Sequence, residues 1–302
     1  MRVAYMFSGQ GAQFAGMGKE LYFAYDECKK IFDLADEALG WQVSKLCFEG
    51  GENLDKTEFT QPAILAVSIA MAELLKDKPK PEYLLGLSLG EYSALVQSGS
   101  FDFAEALQLV QKRGRFMTEV CQEGSGAMSA VLNLSRESVE EVCREVSAVG
   151  PVYPANYNAP GQIVIAGEVA AVAAAEELAK AKGAKRCIRL QVSGAFHTPM
   201  LKPAADKLEA ELKKVRISPM QTPVITNLTA YPIENNEQII PTLLKQLTSP
   251  VLWEDSILYC LEQGVDTFIE LGPGKTLCSF VKKINRTARA YTIEDILGGE
   301  IF

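Results

Sequence analysis

Two periodicities share this chain. Val3 to Phe7 is a short apolar run of strand type, and Ser8 to Gly18 after it is a glycine-rich stretch that predicts a loop. Apolar residues at helical spacing predict helices over residues 24–39 and 62–76. The run Tyr83-Leu84-Leu85 predicts a strand, followed after Gly90 by a helix over 91–97 and a long helix over 102–122. Nearer the C-terminus the pattern predicts a helix over 201–215 and a strand over 265–271. A turn at Gly272-Pro273-Gly274 and a helix over 275–284 complete that stretch. Strands alternating with helices indicate an α/β architecture.

The middle of the chain follows another rhythm. Strands are expected at 127–132, 152–156, 162–166 and 186–191, with helices at 136–146 and 170–182. Strand, helix, strand, strand, helix, strand is the ferredoxin-like split arrangement. Gly124-Ser125-Gly126 and Ser193-Gly194 would serve as hinges. The expected organisation is a large α/β-hydrolase-like domain from 1–124 and 194–302, with a ferredoxin-like insert at 125–193. A cleft is expected where the two meet.

The long helix breaks its own pattern at one position. Phe103, Ala106, Leu107, Val110, Met117 and Val120 mark an apolar face, and Arg113 falls on it. An inward guanidinium stays charged and needs a partner. Either an internal Asp or Glu pairs with it, or it is a fork for a substrate carboxylate, which arginine can bind through two parallel hydrogen bonds.

Composition narrows the class. A length of 302 residues is about twice a typical ~150-residue domain. The net charge of −8 argues against general nucleic-acid binding and supplies no polybasic membrane signal. The longest apolar stretch, 63–75, is interrupted by Ser68 and Glu73 and falls short of the ~20 residues that span a bilayer. Seven dispersed cysteines without C-x-x-C spacing read as reduced, packed thiols. The expectation is a cytoplasmic protein.

Candidate chemistry centres on Ser88. It lies in Gly86-Leu87-Ser88-Leu89-Gly90, between a strand and a helix, the setting that makes G-x-S-x-G a nucleophile elbow. The glycines permit a tight turn, and the helix N-terminus directs its amides at any anion forming there. His197 is the only histidine, so an imidazole base for Ser88 can come from nowhere else. Two lookalikes fail. A phosphate-binding loop ending at Gly274-Lys275-Thr276 would need glycine at 269, which is Ile269. A dinucleotide fingerprint at Gly9-Gln10-Gly11 would need glycine at 14, which is Phe14.

Several ordered motifs carry a resemblance: Phe7-Ser8-Gly9-Gln10-Gly11-Ala12-Gln13, Gln61-Pro62-Ala63, the elbow continued by Glu91-Tyr92-Ser93-Ala94-Leu95, and Lys112-Arg113-Gly114. Asn156-Tyr157-Asn158-Ala159-Pro160-Gly161-Gln162, Gly194-Ala195-Phe196-His197 and Glu270-Leu271-Gly272-Pro273-Gly274 follow. Over residues 3 to about 284 the set resembles the malonyl-CoA:acyl carrier protein transacylases of type II fatty acid synthesis, and the related acyltransferase domains of polyketide synthases. The family commonly has histidine before the nucleophile, where this chain has Leu87.

The resemblance implies roles. Ser88 would be the nucleophile, and His197 its base and later the acid for the leaving thiol. The backbone carbonyl of Gln246 would orient His197, and the amides of Gln10 and Leu89 would form the oxyanion hole. Arg113 would pair with the malonate carboxylate in a pocket lined by Gln61, Asn156 and Asn158. Phe196 and Leu89 follow the pattern of malonyl-selective relatives. Implied partners are malonyl-CoA and acyl carrier protein, with no cofactor, no metal, no nucleic acid and no membrane, for a monomer. Lys182, Lys185, Arg186, Arg189, Lys275, Lys282 and Lys283 are candidates for docking an acidic carrier. A discrete polyketide acyltransferase and a serine thioesterase are the alternatives.

Overall fold

A computed structural model describes residues 1–121, 126–192 and 194–299. In chain order the first part holds β1 (Val3–Phe7), α1 (Lys19–Ala24), α2 (Asp26–Leu39), α3 (Val43–Glu49) and α4 (Thr57–Glu73). It continues with β2 (Tyr83–Gly86), α5 (Gly90–Gln97) and α6 (Phe103–Val120). The middle holds β3 (Gly126–Leu132), α7 (Arg136–Glu145), β4 (Val152–Ala159), β5 (Gln162–Glu168), α8 (Val169–Ala181) and β6 (Arg186–Arg189). The last part contains α9 (Lys202–Leu212), β7 (Val224–Ile225), α10 (Ile239–Thr248), β8 (Val251–Leu252) and α11 (Trp253–Glu262). It ends with β9 (Thr267–Leu271), α12 (Thr276–Ile284), β10 (Arg289–Thr292) and α13 (Ile293–Leu297).

The strands form two sheets, and the protein is mixed α/β. One sheet has the order β10-β9-β1-β2-β7 with every pair parallel. All residues of β1 and β9 are buried, as expected of strands covered by helices on both faces. The other sheet has the order β6-β3-β5-β4-β8, with antiparallel pairs except for β4 against β8. The middle of the chain thus builds its own sheet, but takes the fifth strand, β8, from beyond residue 194.

Differences from the pattern-based expectation are local. The helix expected at 62–76 begins at Thr57 and carries Pro62 inside it, where proline usually marks the first turn. Residues from Thr60 through Ala72 are all buried, and that packing outweighs the lost backbone bond. The helix expected at 24–39 begins at Asp26, after the extended Tyr25, and a separate short helix, Lys19–Ala24, precedes it. The helix expected from 201 opens with a 3₁₀ turn, Pro199–Leu201. The hinge residues Gly124, Ser125 and Ser193 lie outside the described residues.

What this frame contributes to chemistry is one sharp corner. β2 ends at Gly86 and α5 begins at Gly90, leaving Leu87, Ser88 and Leu89 to reverse the chain. Ser88 is forced to a left-handed φ of 54°. A Cβ on Gly86 would stand 1.8 Å from the Gly90 carbonyl carbon, and one on Gly90 would stand 2.1 Å from the Phe7 oxygen. No side chain fits at either position, so glycine is required on steric grounds.

Candidate active site

The corner presents the Ser88 hydroxyl to His197, whose own backbone also sits at a left-handed φ, 60°. Ser88 Oγ is 2.7 Å from His197 Nε2, and His197 Nδ1 lies 3.0 Å from the Gln246 carbonyl oxygen. A carbonyl only accepts, so Nδ1 carries the proton and the Nε2 lone pair faces the serine hydroxyl. Burial first, and the Arg113 charge second, push the His197 pKa down from 6.5 to about 4, against the pull of the Gln246 and Ser249 backbone. The imidazole is therefore neutral near pH 7 and free to take a proton.

Asn227 holds the corner shut. Its side-chain oxygen accepts from the Ser88 amide at 2.6 Å, and its side-chain nitrogen donates to the Gly86 carbonyl at 2.7 Å. Both strained sides of the turn are thereby satisfied by one amide. The loop carrying Gln10 is anchored from the neighbouring strand. Glu270 meets Ser8 Oγ at 3.3 Å and accepts from the Leu277 and Cys278 amides that open α12.

Arg113 is 1% exposed, the largest buried charge next to the serine. Its Nη1 donates to Gln61 Oε1 at 2.9 Å, and its Nη2 donates to Ser88 Oγ at 3.2 Å and Gln246 Oε1 at 3.3 Å. The guanidinium lies over the Tyr92 ring at 5.3 Å, and its Nε has no partner. Among the described residues no carboxylate forms an ion pair with it, so of the two readings of this residue the direct internal pair is not present. Burial draws its pKa down, partly opposed by Tyr92 and Glu91, but a guanidinium remains charged at neutral pH.

A cavity of about 280 Å³ opens above the serine between the two sheets. Ser88, His197, Gln10, Asn156 and Asn158 face it, with Phe196 and Met128 on its apolar wall. Asn158 Oδ1 is buried without a partner, an acceptor open to a ligand. Gln61, Leu89, Gln246 and Arg113 are buried and do not line this cavity, Gln61 contrary to expectation; Arg113 and Gln246 meet Ser88 directly, and Gln61 meets Arg113. The Gln10 side chain donates to Thr57 Oγ1 at 3.0 Å. Ser88, His197, Arg113, Gln61 and Gln246, drawn from positions 61 to 246 of the chain, form one bonded group.

Sequence reasoning missed Asn227 and Glu91. Asn227 follows a two-residue strand too short to show a period. Glu91 looks like an ordinary acid in the first turn of a helix, yet it is wholly buried and its pKa is raised to about 7, chiefly by burial. The two buried titrating groups tilt stability in opposite directions. His197, depressed when folded, contributes stability that is complete above pH 6.5 and lost as pH falls through about 4. Glu91, raised when folded, contributes stability that is complete below pH 4.5 and lost as pH rises through about 7.

Among the candidate docking cations, Lys182 is paired with Glu141 and Glu145, and Arg189 with Glu176. Lys185, Lys282 and Lys283, joined by Arg286, line an open groove of about 400 Å³ and are in no ion pair among the described residues. Arg186 and Lys275 are exposed elsewhere.

The acyl transferase domain family matches residues 4–299. The malonyl CoA-acyl carrier protein transacylase of Bacillus subtilis is 46% identical over 297 residues, covering 97% of this chain and 94% of the relative. That of Escherichia coli K12 is 41% identical over 295 residues, covering 97% and 96%. The crystal structure of the Clostridium perfringens malonyl CoA-acyl carrier protein transacylase superposes with a TM-score of 0.95 at 45% identity, covering 99% of this chain and 96% of that one. A malonyl-transacylase solved in complex with its type II PKS acyl-carrier protein superposes at 0.93 with 40% identity, covering 97% and 95%.

Proposed function

The chain belongs to the malonyl CoA-acyl carrier protein transacylases of the acyl transferase family, and on that basis we propose that it moves a malonyl group from malonyl-CoA to the phosphopantetheine thiol of acyl carrier protein through a malonyl ester on Ser88. The observation that carries this reading is Ser88 Oγ held between His197 Nε2 and the Arg113 guanidinium.

His197 takes the serine proton as Oγ attacks the thioester carbonyl. The oxyanion settles on the Gln10 and Leu89 amides, neither of which donates to a protein acceptor among the described residues. Collapse expels CoA, whose sulfur receives the proton from His197. In the second half the carrier thiol gives its proton to His197 and attacks the ester, which returns the hydroxyl to Ser88. A carbonyl behind the imidazole fixes its tautomer, though it stabilises the imidazolium less than a carboxylate would. Arg113 meets the malonyl carboxylate with its fork, and Asn156 and Asn158 flank the acyl chain.

We read the parallel sheet with its corner at Ser88 as α/β-hydrolase-like. Residues 125–193 read as a ferredoxin-like insert, supported by the antiparallel order β6-β3-β5-β4 with α7 and α8. None of these steps calls for a cofactor or metal, and among the described residues no group of His, Cys, Asp and Glu is arranged to hold a metal. No described helix is long and apolar enough to cross a membrane. We take the protein as a cytoplasmic monomer that binds no nucleic acid.

The groove of Lys185, Lys282, Lys283 and Arg286 suits an acidic carrier surface. Charge reversal by Lys282→Glu with Lys283→Glu is expected to raise KM for the carrier roughly tenfold, mostly at low salt, with a smaller effect on loading from malonyl-CoA. An unchanged carrier KM would place docking elsewhere.

Incubation with malonyl-CoA tests the whole scheme. One equivalent of CoA should be released and one malonyl adduct retained, with further release only after carrier is added. Steady CoA release without carrier would favour a thioesterase. Comparing fatty acid and polyketide carriers as acceptors decides between the two settings, the fatty acid carrier being the expected acceptor and the polyketide carrier the alternative. The acylation rate should stay flat from about pH 6 to 8 and decline only toward pH 4, because the neutral imidazole persists that far. A midpoint at or above the ordinary 6.5 would contradict the depressed His197.

A further inference from the structure

A carboxylate does reach Arg113, but only through another residue. Glu91 Oε2 accepts from Gln246 Nε2 at 3.1 Å and from the Asn227 amide at 2.8 Å. Gln246 Nε2 also donates to the Ser88 carbonyl at 2.9 Å, and Gln246 Oε1 accepts from Arg113 Nη2 at 3.3 Å. A primary amide has one donating end and one accepting end, and its surroundings decide which way it turns. Here two acceptors face the nitrogen, so the oxygen must face Arg113.

We propose that the Gln246 side chain, locked in this orientation by Glu91, is a positioning and specificity-determining element that holds the Arg113 guanidinium toward Ser88 for acyl groups bearing a free carboxylate. This rests on the reading of Arg113 as the carboxylate partner. Arg113 has no ion pair of its own among the described residues, so neutral acceptors must place its fork before substrate arrives. Gln61 holds one arm and Gln246 the other. Glu91 Oε1 has no partner, so a proton on the acid resides there and leaves Oε2 accepting; the lock works in either protonation state. The same Gln246 offers its backbone carbonyl to His197, which substitution of the side chain leaves in place. The base and the anchor are therefore separable by mutation.

The test compares Ser88 acylation by malonyl-CoA and acetyl-CoA in the wild type and in Gln246→Met. The malonyl-to-acetyl ratio of kcat/KM should fall roughly ten- to a hundredfold, the range for a hydrogen bond to a charged group, with the pH profile of acetyl loading unchanged. Glu91→Leu should lower the ratio in the same direction. Glu91→Gln, which keeps an oxygen facing Gln246, should hold it near the wild-type value. Equal losses for both acyl groups, or an unchanged ratio, would overturn the proposal, as would a Glu91→Gln fall as large as that of Glu91→Leu. Should Gln246→Met fold poorly by circular dichroism, Gln246→Asn, one methylene short of Arg113, is read by the same ratio. A wild type that takes no malonyl group at all rejects the underlying function; a wild type that loads malonyl with variants of unaltered ratio rejects only the lock.

Discussion

Ser88→Ala, exposed to malonyl-CoA, should keep its unmodified mass and lose transfer by roughly 10⁴-fold or more. The size of the loss follows from the corner. Ser88 is the hydroxyl within 2.7 Å of the base and within 3.2 Å of the buried cation, and the covalent route has no other oxygen placed to take over. Alanine tolerates the left-handed corner about as well as serine, and Asn227 grips the backbone there, not the hydroxyl. The variant should therefore fold, which thermal unfolding checks alongside. A malonyl adduct of undiminished yield on the folded variant would refute the nucleophile.

Arg113→Ala has the second largest expected effect, and its size differs between substrates. Malonyl loading should fall by roughly 10³- to 10⁴-fold relative to acetyl loading, because a malonyl carboxylate in this buried site would have no cation to meet. Acetyl loading should change much less, since an acetyl group leaves the guanidinium without its ligand even in the wild type. Rates of CoA release with the two thioesters measure both. Equal losses would make Arg113 a structural residue that keeps Ser88 and Gln246 in place, and would remove the basis for selectivity.

How much of this was legible beforehand differs by element. The corner at Ser88 could be read because its parts adjoin in sequence: an apolar strand, two glycines and a helix start within one short span. Arg113 was legible as a polar residue on an apolar face, and the structure buries it as that pattern requires. What surrounds it was not legible. Gln61 reaches Arg113, and Gln246 and Asn227 reach the serine, from distant elements; the first two were named through family resemblance alone, since side-chain amides leave no periodic trace. The segment between α9 and β9 was the least readable, since β7 and β8 have two residues each and are strands only by virtue of their neighbours. Helix ends shifted where burial overruled a local signal, as at Pro62. The role of Gln246 as a backbone acceptor came from family resemblance alone, and its side chain was overlooked because the resemblance concerned the carbonyl.

One imidazole in 302 residues turns this protein into its own reporter. In a proton spectrum a single pair of ring signals belongs to the base, and a carbethoxylating reagent has one histidine to find. His197 is 4% exposed and its ring is bonded at both nitrogens, so its surroundings change each time an acyl group arrives or departs. Occupancy can then be followed in real time without introducing a label.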